Sequence, residues 1–169
     1  MNLSKRQVRW AISSSKYRLS VQLVPLLTFR NTLSAVQSIG ETPFGHRITY
    51  IIGEGSFEGE RLRGRILPGG GDWLNRGSGG LARLDVRKTF KTDDEALIHV
   101  SYTGLYKFSD GVTARLAAGQ DCQFGDTLFL AQIQFETSHA RYAWLNETLA
   151  IGEGRETQAG VEYRVCAVQ

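Results

Sequence analysis

Asp72 stands directly behind the run Gly69-Gly70-Gly71 and directly before Trp73. A carboxyl aimed from such a bend against an indole loses solvent, and desolvation favours its protonated form. A group tuned that way can give a proton near neutral pH and take it back, which is the work of a general acid or base. Asp85 is a second candidate. It alternates with Arg83, Arg87 and Thr89 on one strand face, and an acid between two guanidinium groups stays ionised, orienting rather than protonating. Glu136, at the end of another alternating segment, is a third. For holding a substrate, Trp73, Tyr102 and Trp144 suit a ring, while Arg87, Arg141 and Asn146 suit oxygen atoms. Each assignment has a structural alternative. The Asp85–Arg87 face would be a solvated ladder if it looks outward. Glu136 would end an exposed polar face, and Trp144 would be a core residue with capping neighbours. Asp72 would be a turn cap.

These side chains need a scaffold, and the spacing supplies short strands. Gly53, Gly55, Gly59 and Gly64 precede the Gly69–Gly71 run, a density that no helix tolerates. The stretch from Gly53 to Trp73 reads as two strands with sharp bends, closing on a turn that presents Asp72 and Trp73. It is either a pocket wall or a barrel corner where glycine relieves crowding. Around it, Val21–Leu33 and His46–Ile52 read as strands, with a turn at Glu41–Gly45. Leu81–Thr92 alternates Leu84, Val86, Lys88 and Phe90 with Arg83, Asp85, Arg87 and Thr89. Thr92–Glu95 turns the chain into Ala96–Leu105, the strand carrying Tyr102. Asp110-Gly111 reads as a turn and Ala114–Gln120 as a short helical turn. Thr127–Glu136 alternates again, Ser138–Trp144 is a short helix or loop, and Leu145–Gly152 and Val161–Val168 are the last strands. Many short strands at this spacing, without a long helix, predict an all-β sandwich or barrel.

The 169 residues suit one domain with its own core. Of the 20 Lys and Arg, Lys5, Arg6, Arg9, Lys16, Arg18 and Arg30 all precede the first acid, Glu41, so the 17 acids outnumber the basic residues of the remainder. The positive charge therefore sits on residues 1–20, read as a basic N-terminal extension. The body, residues 21–169, is mildly acidic, which argues against nucleic acid as partner. The extension has the composition of an organelle transit peptide. A loosely attached extension and a cytoplasmic protein is the preferred reading. No apolar run reaches membrane-spanning length. Two cysteines make neither a disulfide framework nor a zinc site, and His46, His99 and His139 are scattered. No metal is expected. Neither a dinucleotide fingerprint nor a phosphate-binding loop occurs, so no cofactor is expected.

The string Phe57-x-Gly59-x-x-Leu62-x-Gly64-x-x-Leu67-Pro68-Gly69-Gly70-x-Asp72-Trp73 resembles the signature of the domain-of-unknown-function 3237 family. So do Leu84-Asp85-x-Arg87, Thr92-Asp93-Asp94-x-Ala96-x-Ile98, Phe135-Glu136-Thr137 and Arg141-Tyr142-x-Trp144-Leu145-Asn146. The likeness runs from about Val21 to Val168. It implies a single antiparallel calycin-like (lipocalin-like) β-barrel with a central cavity. It also implies small natural-product cyclases that add an internal hydroxyl across an alkene by acid–base chemistry. This chain departs from the pattern at Lys88, where an aromatic is expected, and at Glu60, where proline is expected.

Together these readings predict an acid–base enzyme without cofactor, acting on a small, largely apolar, oxygenated molecule by cyclisation, hydration or isomerisation. The alternative is a lipocalin-like carrier of a hydrophobic ligand, or a barrel with a filled interior. A homo-oligomer is compatible with the sequence.

Overall fold

The computed structural model describes residues 20–169. The basic extension lies outside the described residues except for Ser20. The chain forms a closed antiparallel barrel, β1 (Leu23–Thr42), β2 (Gly45–Glu58), β3 (Arg63–Arg76), β4 (Leu81–Thr92), β5 (Leu97–Lys107), β6 (Phe129–Glu136), β7 (Ala150–Thr157) and β8 (Gly160–Val168). Each strand pairs with its sequence neighbours, and β8 closes on β1 from Leu23–Val168 to Asn31–Val161. Closure removes both sheet edges.

Strand alternation decides what lies inside. Leu84, Val86, Lys88 and Phe90 of β4 are all buried, and so are Phe129, Ala131, Ile133 and Phe135 of β6. Their alternate neighbours face solvent. The barrel wall is kinked where β2 shifts register against β3 between Ile51 and Gly55, and where β3 shifts against β4 between Leu67 and Gly71. Gly70 belongs to that second bulge. A Cβ there would stand 2.9 Å from the Cα of Lys88, so glycine lets β3 press against β4 at the lysine. Gly154 does the same for the interior, since a Cβ on it would lie 2.8 Å from the Phe129 ring.

In this topology the β1–β2, β3–β4, β5–β6 and β7–β8 connections share one end of the barrel. The other end is capped. A 3-10 segment, Ala140–Glu147, lies across it with Tyr142 and Leu145 buried beneath. Toward the middle the core is aromatic. Phe57 stacks on Phe90 at 4.4 Å and Phe29 on Tyr163 at 4.7 Å, with Phe29 edge-on to Phe90 at 5.7 Å.

Several expected boundaries shift. The β1–β2 hairpin is much longer than the two strands expected there, because both strands run past the barrel wall to the turn at Pro43-Phe44. The glycine-rich run belongs to β3, so Asp72 and Trp73 lie within a strand and not on a turn. Asp110-Gly111 opens a short helix, α1 (Asp110–Ala117), with Asp110 in its first turn. Cys122 and Cys166 are unbridged. No helix among the described residues is long and apolar enough to cross a membrane.

Candidate functional site

A cavity of about 340 Å³ opens at the hairpin end of the barrel. That is the lower range of small-molecule sites. Its rim is built from the β5–β6 connection, through Phe108 and Leu116, and from the β7–β8 turn at Thr157–Gly160. The two are tied together. The Gln158 side chain donates to the carbonyl of Leu116 at 3.1 Å, and its backbone N–H donates to Asp121 Oδ1 at 2.8 Å. The walls are aliphatic and aromatic, with Leu74, Leu84 and Val86 facing Tyr106 and Phe129.

Into this apolar space projects Asp72. It faces inward because Trp73 faces outward, where the indole is 41% exposed. The β3–β4 ladder passes from Asp72–Val86 to Asn75–Arg83, and in that interval the Asp85 backbone N–H donates to Asp72 Oδ1 at 3.1 Å. One such bond does not replace lost water. Burial lifts the carboxyl from 3.8 to about 6, and the Asp85 charge adds to the rise. The Asp85 N–H and the positive charge of Lys88 oppose it. The sequence-based reason for this shift was contact with Trp73. The cause is instead the barrel interior.

Around Asp72 the cavity offers phenols. Burial pushes the Tyr50 hydroxyl up, and the carboxylates of Glu156 and Asp72 push it further. Tyr102 is fully inside and its hydroxyl is likewise raised, first by burial and then by Asp72. Tyr163 lies beside it with ring centroids 5.6 Å apart. Glu156 is half-buried on the cavity wall, and burial followed by the Glu156 carboxylate raises Tyr106. These groups can hold oxygen atoms of a ligand through hydroxyls that stay protonated at any physiological pH.

Deeper in the barrel core, outside the cavity lining, sits Lys88, 2% exposed. Its Nζ donates to Asn31 Oδ1 at 2.7 Å and lies 3.9 Å from the centre of the Phe29 ring. Burial holds its ammonium well below the usual lysine value, against the pull of Asp72. The departure from the family pattern noted in the sequence is thus an ionisable group in the core. Asn31 itself lines the cavity.

Of the residues proposed from sequence, Asp72 and Tyr102 meet at this cavity. The others do not. Asp85 and Arg87 lie on the outer face of β4, paired to each other at 2.8 Å with side chains 47% and 53% exposed. Arg87 also approaches the outward Trp73, 5.5 Å from its ring centre. The inward face of β4 is the apolar one, so the assignment of Asp85 and Arg87 to the pocket is corrected. Glu136 is exposed on the outside of β6. Arg141, Trp144 and Asn146 belong to the cap at the opposite end. Arg141 Nη1 donates to Asp94 Oδ2 at 3.1 Å, and Arg61 stacks over Trp144 at 3.8 Å. The Asn146 side chain bonds the Thr137 backbone, accepting from its N–H at 2.8 Å and donating to its carbonyl at 3.0 Å. These residues fasten the cap, and none of them lines the cavity that holds Asp72.

Asn31, Tyr50, Glu156 and Tyr163 were not singled out from sequence, and Lys88 stood out only as a departure from the family pattern, with no role assigned. Lys88 was legible, since it shares a face with Leu84, Val86 and Phe90. Glu156 follows Gly152 and Gly154 at a period of two, the signal that β7 continues inward-facing past Gly152. Nothing local marks Asn31, which reaches the cavity through its register with Gly55 and Val161.

Known proteins agree with this architecture. A β-barrel-like protein of Acinetobacter baumannii superposes with a TM-score of 0.78 at 36% identity, over 91% of this chain and 99% of that one. A protein described as an enzyme from Penicillium herquei superposes with a TM-score of 0.68 over 91% of this chain and 99% of that one, at 16% identity, a likeness of fold alone. In sequence, the chain is 31% identical over 128 residues to a UPF0311 protein of Rhodopseudomonas palustris (strain TIE-1), which spans 75% of this chain and 83% of that protein. With the family model matching residues 21–168, this chain belongs to the family described as "Protein of unknown function (DUF3237)".

Proposed function

We propose that the barrel is an acid–base enzyme that works with its own side chains on a small, largely apolar, oxygenated molecule, with Asp72 as the group that moves the proton. One observation carries this reading. The Asp72 carboxyl lies among Leu74, Leu84, Val86 and the tyrosine rings of the cavity and is lifted by burial to about 6. A carrier gains nothing from burying a carboxyl without a strong partner, whereas a proton donor and acceptor needs that environment.

The step that fits the cavity is addition of an internal hydroxyl across an alkene, or its hydration or isomerisation relatives. The ring rests between Tyr106, Phe129 and the aliphatic wall. Protonated Asp72 delivers its proton to one alkene carbon, and the hydroxyl oxygen bonds to the other. The hydroxyl proton then passes to the Asp72 carboxylate. The alkene π bond and the O–H bond break, one C–O bond and one C–H bond form, and the Asp72 carboxyl is restored. Chemistry of this kind would fit a cytoplasmic protein with a small-molecule partner.

The test is conversion. Wild-type protein and Asp72→Asn are incubated with a small-molecule extract of the source organism and followed by mass spectrometry. We expect the wild type to deplete a species while a product of equal mass, or differing by one water, accumulates. Asp72→Asn should slow this by about 10²–10⁴-fold, the usual worth of a positioned acid or base, and should still retain the species on gel filtration. Retention by both proteins with conversion by neither favours the carrier. Equal conversion by both removes Asp72 from the mechanism.

A further inference from the structure

Lys88 is the one buried lysine of the described core, and it has no carboxylate in contact. Phe29, Tyr102 and Phe90 surround its Nζ at 3.9, 5.2 and 5.9 Å from their ring centres. Cation–π contact offsets part of the cost of burial. The sole hydrogen-bonding partner it has is Asn31 Oδ1. A buried lysine without a carboxylate partner is costly, so its one hydrogen-bonding partner is where to look for its use.

The Asn31 amide has two ways to face, and its neighbours choose one. The Thr32 carbonyl can only accept, and it takes a hydrogen bond from Asn31 Nδ2 at 3.0 Å. That leaves Oδ1 for Lys88, and the 2.7 Å bond locks it there. The acceptor side of the amide is therefore spent on the lysine. Its second N–H has no protein acceptor among the described residues, and Asn31 lines the cavity. A wall that offers this N–H to a ligand would offer a donor and not an acceptor.

We propose that Lys88 is a positioning residue that holds Asn31 as an N–H donor, so that the cavity selects molecules carrying an acceptor oxygen, a carbonyl or phenolic oxygen, at the Asn31 wall. This deepens the acid–base reading above and rests on its cavity. It narrows the substrate class to flat apolar molecules with such an oxygen. It also explains why the lysine stays in the core and out of the cavity lining. Aimed into the cavity, its ammonium would itself bind the ligand, whereas here it works through the amide.

Two probes of the same ring test it, 2-acetylnaphthalene with its carbonyl and 2-ethylnaphthalene without. Binding is followed by isothermal titration. The wild type should bind the ketone about fivefold more tightly, the worth of one hydrogen bond. Lys88→Met removes the stronger of the two contacts that hold the amide and leaves only the Thr32 carbonyl, and Asn31→Asp keeps a partner for Lys88 but removes the N–H. Both should bring the preference close to one while the hydrocarbon binds as before. An unchanged preference in both variants overturns the proposal. Hydrogen exchange of the Asn31 side-chain amide by nuclear magnetic resonance gives a readout that needs no ligand. Lys88→Met should speed it by roughly tenfold or more as the lock is lost, and an unchanged rate overturns the positioning role. If neither naphthalene binds the wild type, the cavity reading of the proposed function fails, and the exchange rates still decide for Lys88. Asp72, Glu156, Tyr50, Tyr102, Tyr106 and Tyr163 are titratable groups facing the same space from β3, β7, β2, β5 and β8, so all comparisons are made at one pH.

Discussion

The hollow end and the capped end of this barrel each centre on an aspartate, and the two are tuned in opposite directions. Asp72 accepts one backbone hydrogen bond in an apolar cavity and rises to about 6. Asp94 accepts from Thr92 Oγ1 at 2.6 Å, from the Tyr142 hydroxyl at 2.7 Å and from Arg141 at 3.1 Å, and falls to about 2. Hydrogen bonds lead on the second, desolvation on the first. A carboxyl surrounded by donors is a fastener, because every neighbour rewards its charge. A carboxyl stripped of water and left with one donor is held ready to change its protonation state. The same contrast separates Arg141, which is engaged in the cap, from Asn31, which keeps an N–H for something else.

The largest effect that would break this contrast is kinetic. Asp72→Asn should cut conversion by about 10²–10⁴-fold, while Asp94→Asn should leave the rate within about twofold once the protein is folded, since Asp94 does not line the cavity that holds Asp72. The wild-type rate should also bend near pH 6, where Asp72 exchanges its proton, and the bend should vanish in Asp72→Asn.

Stability sharpens it next, with signs that differ. A carboxyl whose folded value is raised opposes folding once it ionises. For Asp72 the cost is absent below 3.8 and complete above about 6, amounting to roughly 2–3 kcal/mol. Asp72→Asn keeps an oxygen for the Asp85 N–H and carries no charge. It should therefore melt higher than wild type at pH 8, by roughly 5–10 °C for a chain of this size, and lose that advantage by about pH 4. For Asp94 the folded value is depressed. Its stabilisation is present above 3.8 and is lost as pH falls toward about 2. Asp94→Asn should melt lower than wild type at pH 7, with the gap closing in acid. Thermal scans at several pH values read both. A pair of curves moving the same way would dissolve the distinction between the two ends.

Much of the scaffold was written locally. The β4 strand matched its expected bounds, and β6 carried its inward set, Phe129 to Phe135, in plain alternation. The many short strands pointed to a sandwich or a barrel, and the family resemblance pointed to the closed barrel. Position along the chain pointed at Asp72 for a reason that did not hold, because neighbours in a strand face opposite ways and the indole went outward. The Asp85–Arg87 pair attracted attention because charges look like chemistry, but a face of alternating charges is what solvent asks of a barrel strand. Its partner face, with Lys88 among apolar residues, was the informative one. Asn31 stayed hidden because its place depends on register across β2 and β8, which no local window contains. Arg141, Trp144 and Asn146 lie in a motif that is as ordered as the cavity wall, yet the order there serves the cap.

The smallest expected effect tests the outer wall. Asp85 and Arg87 form an exposed pair, and such pairs contribute about 0–1 kcal/mol. Asp85→Asn leaves the backbone N–H that Asp72 accepts, so the cavity carboxyl loses only the added push of a nearby negative charge. The pH bend of the wild-type rate should slip slightly downward and the rate at pH 8 should stay within about twofold, because removing an exposed charge alters a screened interaction. Arg87→Met deletes a guanidinium that faces Trp73 and solvent, and ligand affinity should not change beyond error. Glu136→Gln, on the outside of β6, should be silent in every measurement. A loss of affinity in Arg87→Met would mean that the ligand rests on the outer face among Trp73, Leu105 and Leu130. The hollow end would then no longer be the working end of this barrel.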